Sequence, residues 1–115
     1  MEDMRKIFTE VNLNLEKFSK EFPKEMLAFS RMMAAIEAPG ALDAKQKELI
    51  AIALSICSHC KWCVAFHVEK ALGCGATRKE ITEAGWVAVL MGGGPALMYF
   101  QLLEQALDDF EQKKD

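Results

Sequence analysis

The chain lacks a strand signal. Nowhere along its 115 residues do apolar and polar side chains alternate over a useful length, and a half-buried strand needs that alternation. Internal repeats and low-complexity linkers are missing as well, so one all-α domain over residues 1–115 is expected. Basic blocks are absent: 14 Lys and Arg stand against 17 Asp and Glu, a net charge of −3. Without a basic face, nucleic acid is excluded as a partner. The start, Met1-Glu-Asp-Met-Arg-Lys, puts acids first with no apolar stretch behind them. That is not a secretory signal, and a cytoplasmic location is predicted. In a reducing cytosol, clustered cysteines are more often catalytic or metal-binding than structural.

Charge is also missing from Ala84 to Leu103. The run is long enough to span a bilayer. Its centre, however, is Gly92-Gly-Gly-Pro95, and mid-helix Gly and Pro cost about 1 and about 3 kcal/mol relative to Ala. Two buried helix ends joined by a turn are predicted, and no membrane span. The same glycines do not form a phosphate loop, because no strand precedes them and no Lys-Ser/Thr follows.

What is present is helical periodicity. Met4, Ile7, Phe8, Val11, Leu15 and Phe18 follow i, i+3, i+4 spacing over residues 3–20. Pro23 starts a second helix, whose Met26, Leu27, Phe29, Met32, Met33 and Ile36 make a Met-rich face suited to core or subunit contact. Pro39-Gly40 is a turn. Asp43 and Gln46 form a capping-box pattern for a helix from near Ala44, and its second half is apolar all round, hence central. A kink near Ser58 fits the weak helix preference of Ser and His. A helix from about His59 to Leu72 ends at Gly73 and Gly75. Thr77 and Glu80 open another, to about Met91, and a last one runs over about 95–112. Hydrophobic residues reach 51%, which, with the Met-rich face and the uncharged run, exceeds what one small domain buries. A homo-oligomer is therefore predicted.

Reactive side chains concentrate in Cys57-Ser-His-Cys-Lys-Trp-Cys-Val-Ala-Phe-His67. On one helix, Cys60, Cys63 and His67 fall within about 60° of each other. Cys60 and Cys63 are i, i+3, with Cβ atoms roughly 5–6 Å apart. A disulfide wants about 3.5–4.5 Å, so a modest adjustment in a first turn would close one. Cys57 and Cys60 are a second possible pair, while Cys57 and Cys63 are about 9 Å apart along a continuous axis. Cys57 is otherwise an inert buried thiol, His59 a surface or cap residue, and Cys74 a small helix-end residue. The helix N-terminus favours a thiolate most at Cys60, and His67 is placed to act as base for Cys63. Glu48, on the preceding helix, is the candidate to orient His67 if the two helices form an antiparallel hairpin. Zinc on Cys57, Cys60, Cys63 and His67 is an alternative only if the stretch leaves the helix, since along one helix the four span about 15 Å.

Glu48, Cys60-Lys-Trp-Cys63 and His67, followed by Gly73, the Thr77–Ile81 segment and the Gly92–Gly94 turn, together resemble the carboxymuconolactone decarboxylase / AhpD-like family over roughly residues 25–105. The resemblance implies an AhpD-like helical fold of about six helices, assembled as trimers or hexamers. It implies thiol-dependent peroxidase or disulfide reductase activity. No cofactor and no metal are expected. By that analogy Cys63 attacks the peroxide and becomes a sulfenic acid. Cys60 resolves it as a disulfide and exchanges with a thiol reductant or redox partner protein. His67 and Glu48 form the proton relay. The chain departs from the AhpD pattern at Trp62, where a second His stands before the second Cys, and it carries one motif copy. The family's decarboxylases lack the paired cysteines. Acid/base decarboxylation through Glu48 and His67 is the second implied activity, and a metal-binding or interaction module the third reading.

Overall fold

The computed structural model describes residues 2–112. Among them the chain forms helices α1 (Met4–Glu21), α2 (Pro23–Glu37), α3 (Ala44–Cys57), α4 (Lys61–Gly73) and α5 (Arg78–Gln112), with no strand. The start signals act as their chemistry requires. Asp3 accepts from the backbone of Arg5 and Lys6 at the head of α1. Pro23 occupies the first turn of α2. Asp43 and Gln46 cap α3 reciprocally at 2.7 and 2.9 Å. Thr77 and Glu80 do the same for α5 at 3.2 and 2.9 Å.

The expected sixth helix is the second arm of α5. Gly93 interrupts that helix with φ 67° and ψ −148°, a conformation glycine adopts without the Cβ penalty. The two arms fold back on each other. A Cβ at Gly85 would meet the Phe100 ring at 2.8 Å and Leu103 closer still, so the missing side chain sets how near the arms lie. Thr82 donates to Glu104 at 3.0 Å, and Arg78 pairs with Glu104, Asp108 and Glu111 across the same seam. By length and composition Arg78–Glu111 is long and apolar enough to cross a membrane. The helix packs on α3 and α4, where burial of apolar surface stabilises it.

The core is built from Ile52 and Ile56 of α3, Val64 and Val68 of α4, and Ile81, Leu103 and Leu107 of α5, all fully buried. Met4 and Ile7 close one end, held by a hydrogen bond from the Met4 backbone to buried Asp109 at 2.9 Å. The α2 face leaves the subunit-contact alternative, and one expectation about burial needs correction. No residue of α2 is buried, and its Leu27, Phe29, Met32 and Ile36 stand half exposed or more. The helix ends around Gly93 are not buried either: Leu90 and Met91 are each 79% exposed. An apolar period fixes which face is apolar, not whether the same chain covers it.

Candidate active site

The break between α3 and α4 shapes the site. α3 ends at Cys57 and the chain turns through Ser58 and His59, the latter at φ 55°. A left-handed residue ends the helical run. Cys60 is therefore the N-cap of α4, not a residue within it, at φ −116° and ψ 99°. Helix α4 starts at Lys61, two residues later than its periodicity predicts. The extended N-cap brings the sulfurs together: Cys60 and Cys63 form a disulfide with Cα atoms 5.2 Å apart. Cys60 Sγ also accepts from the Cys63 backbone N–H at 3.1 Å. That donor belongs to the first turn of α4, whose unpaired N–H groups favour negative charge on a reduced sulfur.

The α3–α4 hairpin delivers Glu48 to His67, as the pattern predicts. Glu48 Oε1 and His67 Nδ1 are 2.8 Å apart, and Glu48 is only 3% exposed. Burial raises the Glu48 carboxyl above its usual range, against the lowering effect of the His67 bond, and the neighbouring Glu37 carboxyl raises it further. His67 also has Phe66 edge-on, with centroids at 5.3 Å. A carboxyl on Nδ1 fixes the tautomer and leaves Nε2 as the ring's reactive nitrogen.

Glu37, at the C-terminus of α2, is the residue that sequence reasoning missed. Lys70 Nζ donates to both of its oxygens, at 2.8 and 2.6 Å. Burial pushes the Glu37 carboxyl up, but Lys70 and the neighbouring Glu48 carboxyl prevail and hold it below its usual range. No spacing rule links residue 37 to the α3–α4 hairpin. A weak signal existed in Lys70, which is i+3 from His67 and so shares its face.

The other candidates fall apart spatially. Cys57 is exposed, not buried, and its thiol lies 3.5 Å from the Ala88 carbonyl. It makes no pair with Cys60. His59 is exposed and stacks on Tyr99, with centroids at 4.8 Å. Cys74 is exposed at the C-cap of α4. The four-ligand zinc arrangement is not assembled, because Cys60 and Cys63 are bonded to each other. A different grouping, Glu37, Glu48 and His67, brings one polar atom from each within 4.8 Å of the others. The Lys70 ammonium already supplies positive charge there, so a cation would have to bind beside a like charge or displace it.

Two cavities flank His67. One, of about 200 Å³, has Cys63, His67 and Trp62 against Val11, Leu15, Phe29 and Phe66. The other, of about 380 Å³, has Glu37, Glu48, Lys47 and His67 against Met32, Ile36, Ile50 and Leu54. Sulfur thus faces one apolar pocket, and the carboxyl pair faces another.

These features define an all-helical protein with a Cys-x-x-Cys pair at a helix N-terminus and a buried Glu–His pair beside it. The chain belongs to the carboxymuconolactone decarboxylase family, whose sequence pattern matches residues 23–106. It is 39% identical over 97 residues to an uncharacterized protein from Cupriavidus necator, covering 84% of this chain and 86% of that one. It is 38% identical over 84 residues to uncharacterized protein 4 in the cox locus of Paracoccus denitrificans, covering 73% and 76%. Its fold superimposes on the crystal structure of an apo carboxymuconolactone decarboxylase family protein from Legionella pneumophila with a TM-score of 0.85, at 42% identity over 95% of each chain. The family is enzymatic in general and includes AhpD-like members.

Proposed function

We propose that the protein is a thiol-dependent oxidoreductase that reduces a hydroperoxide, or a disulfide, through Cys63 and Cys60. The observation that carries this reading is the Cys60–Cys63 disulfide at the N-terminus of α4, on the helix that also holds the Glu48-bound His67. In the reduced enzyme His67 Nε2 takes the Cys63 thiol proton. The thiolate attacks the terminal peroxide oxygen, the O–O bond breaks, and the departing alkoxide takes the proton back from the imidazolium. Cys63 is then a sulfenic acid. The Cys60 sulfur attacks it, the S–O bond breaks, and the hydroxide leaves as water with the Cys60 proton. The sum is ROOH and two thiols giving ROH, water and one disulfide. A thiol reductant or redox partner protein returns the pair by exchange at Cys60, in the cytoplasm.

Thiol counting with mass mapping tests this directly. Reduced protein should lose two alkylatable thiols on treatment with one equivalent of peroxide, with the new bond between Cys60 and Cys63 and with Cys57 and Cys74 still free. Four free thiols after treatment would sink the reading.

A second reading has one observation in its favour. The larger pocket opens on Glu37, Glu48 and His67 and not on sulfur, a suitable setting for acid/base decarboxylation of an organic acid or lactone. That activity should survive replacement of both Cys60 and Cys63, whereas the peroxidase should not.

We also propose a homo-oligomer, a trimer or hexamer by family analogy. The half-exposed apolar face of α2 and the exposed Trp86, Leu90 and Met91 of α5 support it. Light scattering should give a mass several times 12.9 kDa. A strictly monomeric species at micromolar concentration would overturn the proposal.

A further inference from the structure

We propose that Glu37 is a positioning residue of the relay: clamped by Lys70 and set beside Glu48, it keeps one shared proton on the carboxyl pair and so leaves His67 free to accept the Cys63 proton. The inference rests on the thiol reading of the site and adds to it a residue from a third helix.

The geometry makes the case. Two carboxyl groups a few ångströms apart in a buried site cannot both be ionised without strong repulsion, so the pair holds one proton. Glu48 and Glu37 are such a pair, and His67 completes a cluster whose polar atoms lie within 4.8 Å. The two ends of the pair differ. Glu37 has both oxygens on the Lys70 ammonium, at 2.8 and 2.6 Å, which favours its anion. Glu48 is 3% exposed and hydrogen-bonds to the His67 ring rather than to an ammonium, which favours its neutral form. The opposite directions in which their surroundings push the two carboxyls agree with this assignment. Glu37 is also fixed along the chain. Lys47 Nζ donates to the Ile36 and Ala38 carbonyls, at 2.7 Å each, and so anchors the C-terminus of α2 on either side of it. The charged and titratable groups around the pair are Glu37 on α2, Lys47 and Glu48 on α3, and His67 and Lys70 on α4. From α1 the neighbouring cavity receives only Val11 and Leu15.

The consequence is chemical. An ionised Glu48 2.8 Å from the ring would hold His67 as an imidazolium, and a base already carrying its proton cannot take another. With the shared proton on Glu48, the Glu48 carbonyl oxygen accepts from Nδ1–H and Nε2 stays open. When the Cys63 proton arrives at Nε2, the shared proton moves from Glu48 to Glu37. Glu48 becomes the carboxylate facing the new imidazolium. One proton enters the cluster and none is lost from it. When the alkoxide takes that proton, the shift reverses.

The test uses the reduced full-length protein and the isosteric variant Glu37→Gln. Carboxyl-carbon NMR should show the Glu37 and Glu48 signals each titrating in two linked steps in the wild type, as coupled groups do. In Glu37→Gln the Glu48 signal should titrate in one step, displaced toward the ordinary carboxylate range. The amide then donates to an ionised Glu48, the imidazolium is favoured, and its charge stabilises, below neutral pH, a Cys63 thiolate whose proton has gone to solvent and not to the ring. Alkylation of Cys63 at mildly acidic pH should therefore become faster, by about threefold or more. A residue that only supports the fold would slow alkylation at every pH. Uncoupled single steps in the wild type, or uniform slowing in the variant, would overturn the proposal. Lys70→Met provides a second route if Glu37→Gln fails to fold: losing the ammonium should raise the pH of the pair's first deprotonation, and an unmoved first step would also overturn it. Failure of the peroxidase reading is separable. Two-step titration in a protein inert to peroxide supports the carboxyl pair and counts against the peroxidase, and peroxide reactivity with uncoupled steps does the reverse.

Discussion

Cys63→Ser should reduce peroxide-dependent oxidation of the protein by about three orders of magnitude or more, because a hydroxyl at this position has no accessible anion near neutral pH. The prediction separates the two cysteines. Cys60→Ser removes the resolving sulfur but leaves the attacking one. It should still consume a single equivalent of peroxide and stop at the sulfenic acid, which a dimedone-type reagent traps. The difference follows from position. Cys60 is the N-cap, with its sulfur on the Cys63 backbone N–H, whereas Cys63 lines the apolar pocket with His67. Stopped-flow measurement of peroxide consumption, with mass analysis of the product, checks both variants. Full turnover in Cys63→Ser would remove the thiol mechanism altogether, and trapping of the sulfenic acid on Cys60 would exchange the two roles.

His67→Ala should carry the next largest effect, a loss of about a hundredfold to ten-thousandfold in the rate of Cys63 oxidation near neutral pH. Without the imidazole, the thiol proton must leave to water and the alkoxide must be protonated by water. The loss should shrink as pH rises toward the range where a free thiol ionises unaided. A structural defect has no reason to recover in this way, so the pH dependence is the diagnostic part. Glu48→Gln keeps the shape of the contact but cannot follow the proton, and should cost about tenfold or more, less than loss of the ring itself. Rates measured in the same peroxide assay across pH test the order. Equal losses at all pH values in His67→Ala would assign the residue a packing role beneath Phe66 rather than a chemical one.

Local rules carried much of the architecture. Asp43 with Gln46 and Thr77 with Glu80 announce helix starts because an N-cap oxygen and a third-residue carboxyl or amide must meet the same few backbone groups. Gly93 announces the bend in α5 because few other residues enter positive φ cheaply. The Glu48–His67 contact was legible for a related reason. Two helices joined by the short Ser58–Cys60 link fold back on each other, and a residue some turns before the link can then meet one some turns after it. Glu37 was not legible. Its distance from Glu48 depends on how α2 docks on the hairpin after the Pro39-Gly40 turn, and no periodicity records that angle. Exposure was also misread for Cys57, Leu90 and Met91, since an apolar side chain or thiol in the sequence does not reveal whether its own chain reaches round to cover it.

The sequence by itself determined the helical class, the helix starts, the bend at Gly93 and the membership of Cys60, Cys63, His67 and Glu48 in one constellation, because these depend on residue types at short, fixed separations. Tertiary structure decided the rest. It made Cys60 a cap rather than a helical residue, through the left-handed turn at His59. It put Cys63 and the carboxyls in two different cavities that share His67. It also brought Glu37 and Lys70 beside Glu48 and His67, from helices whose meeting depends on packing.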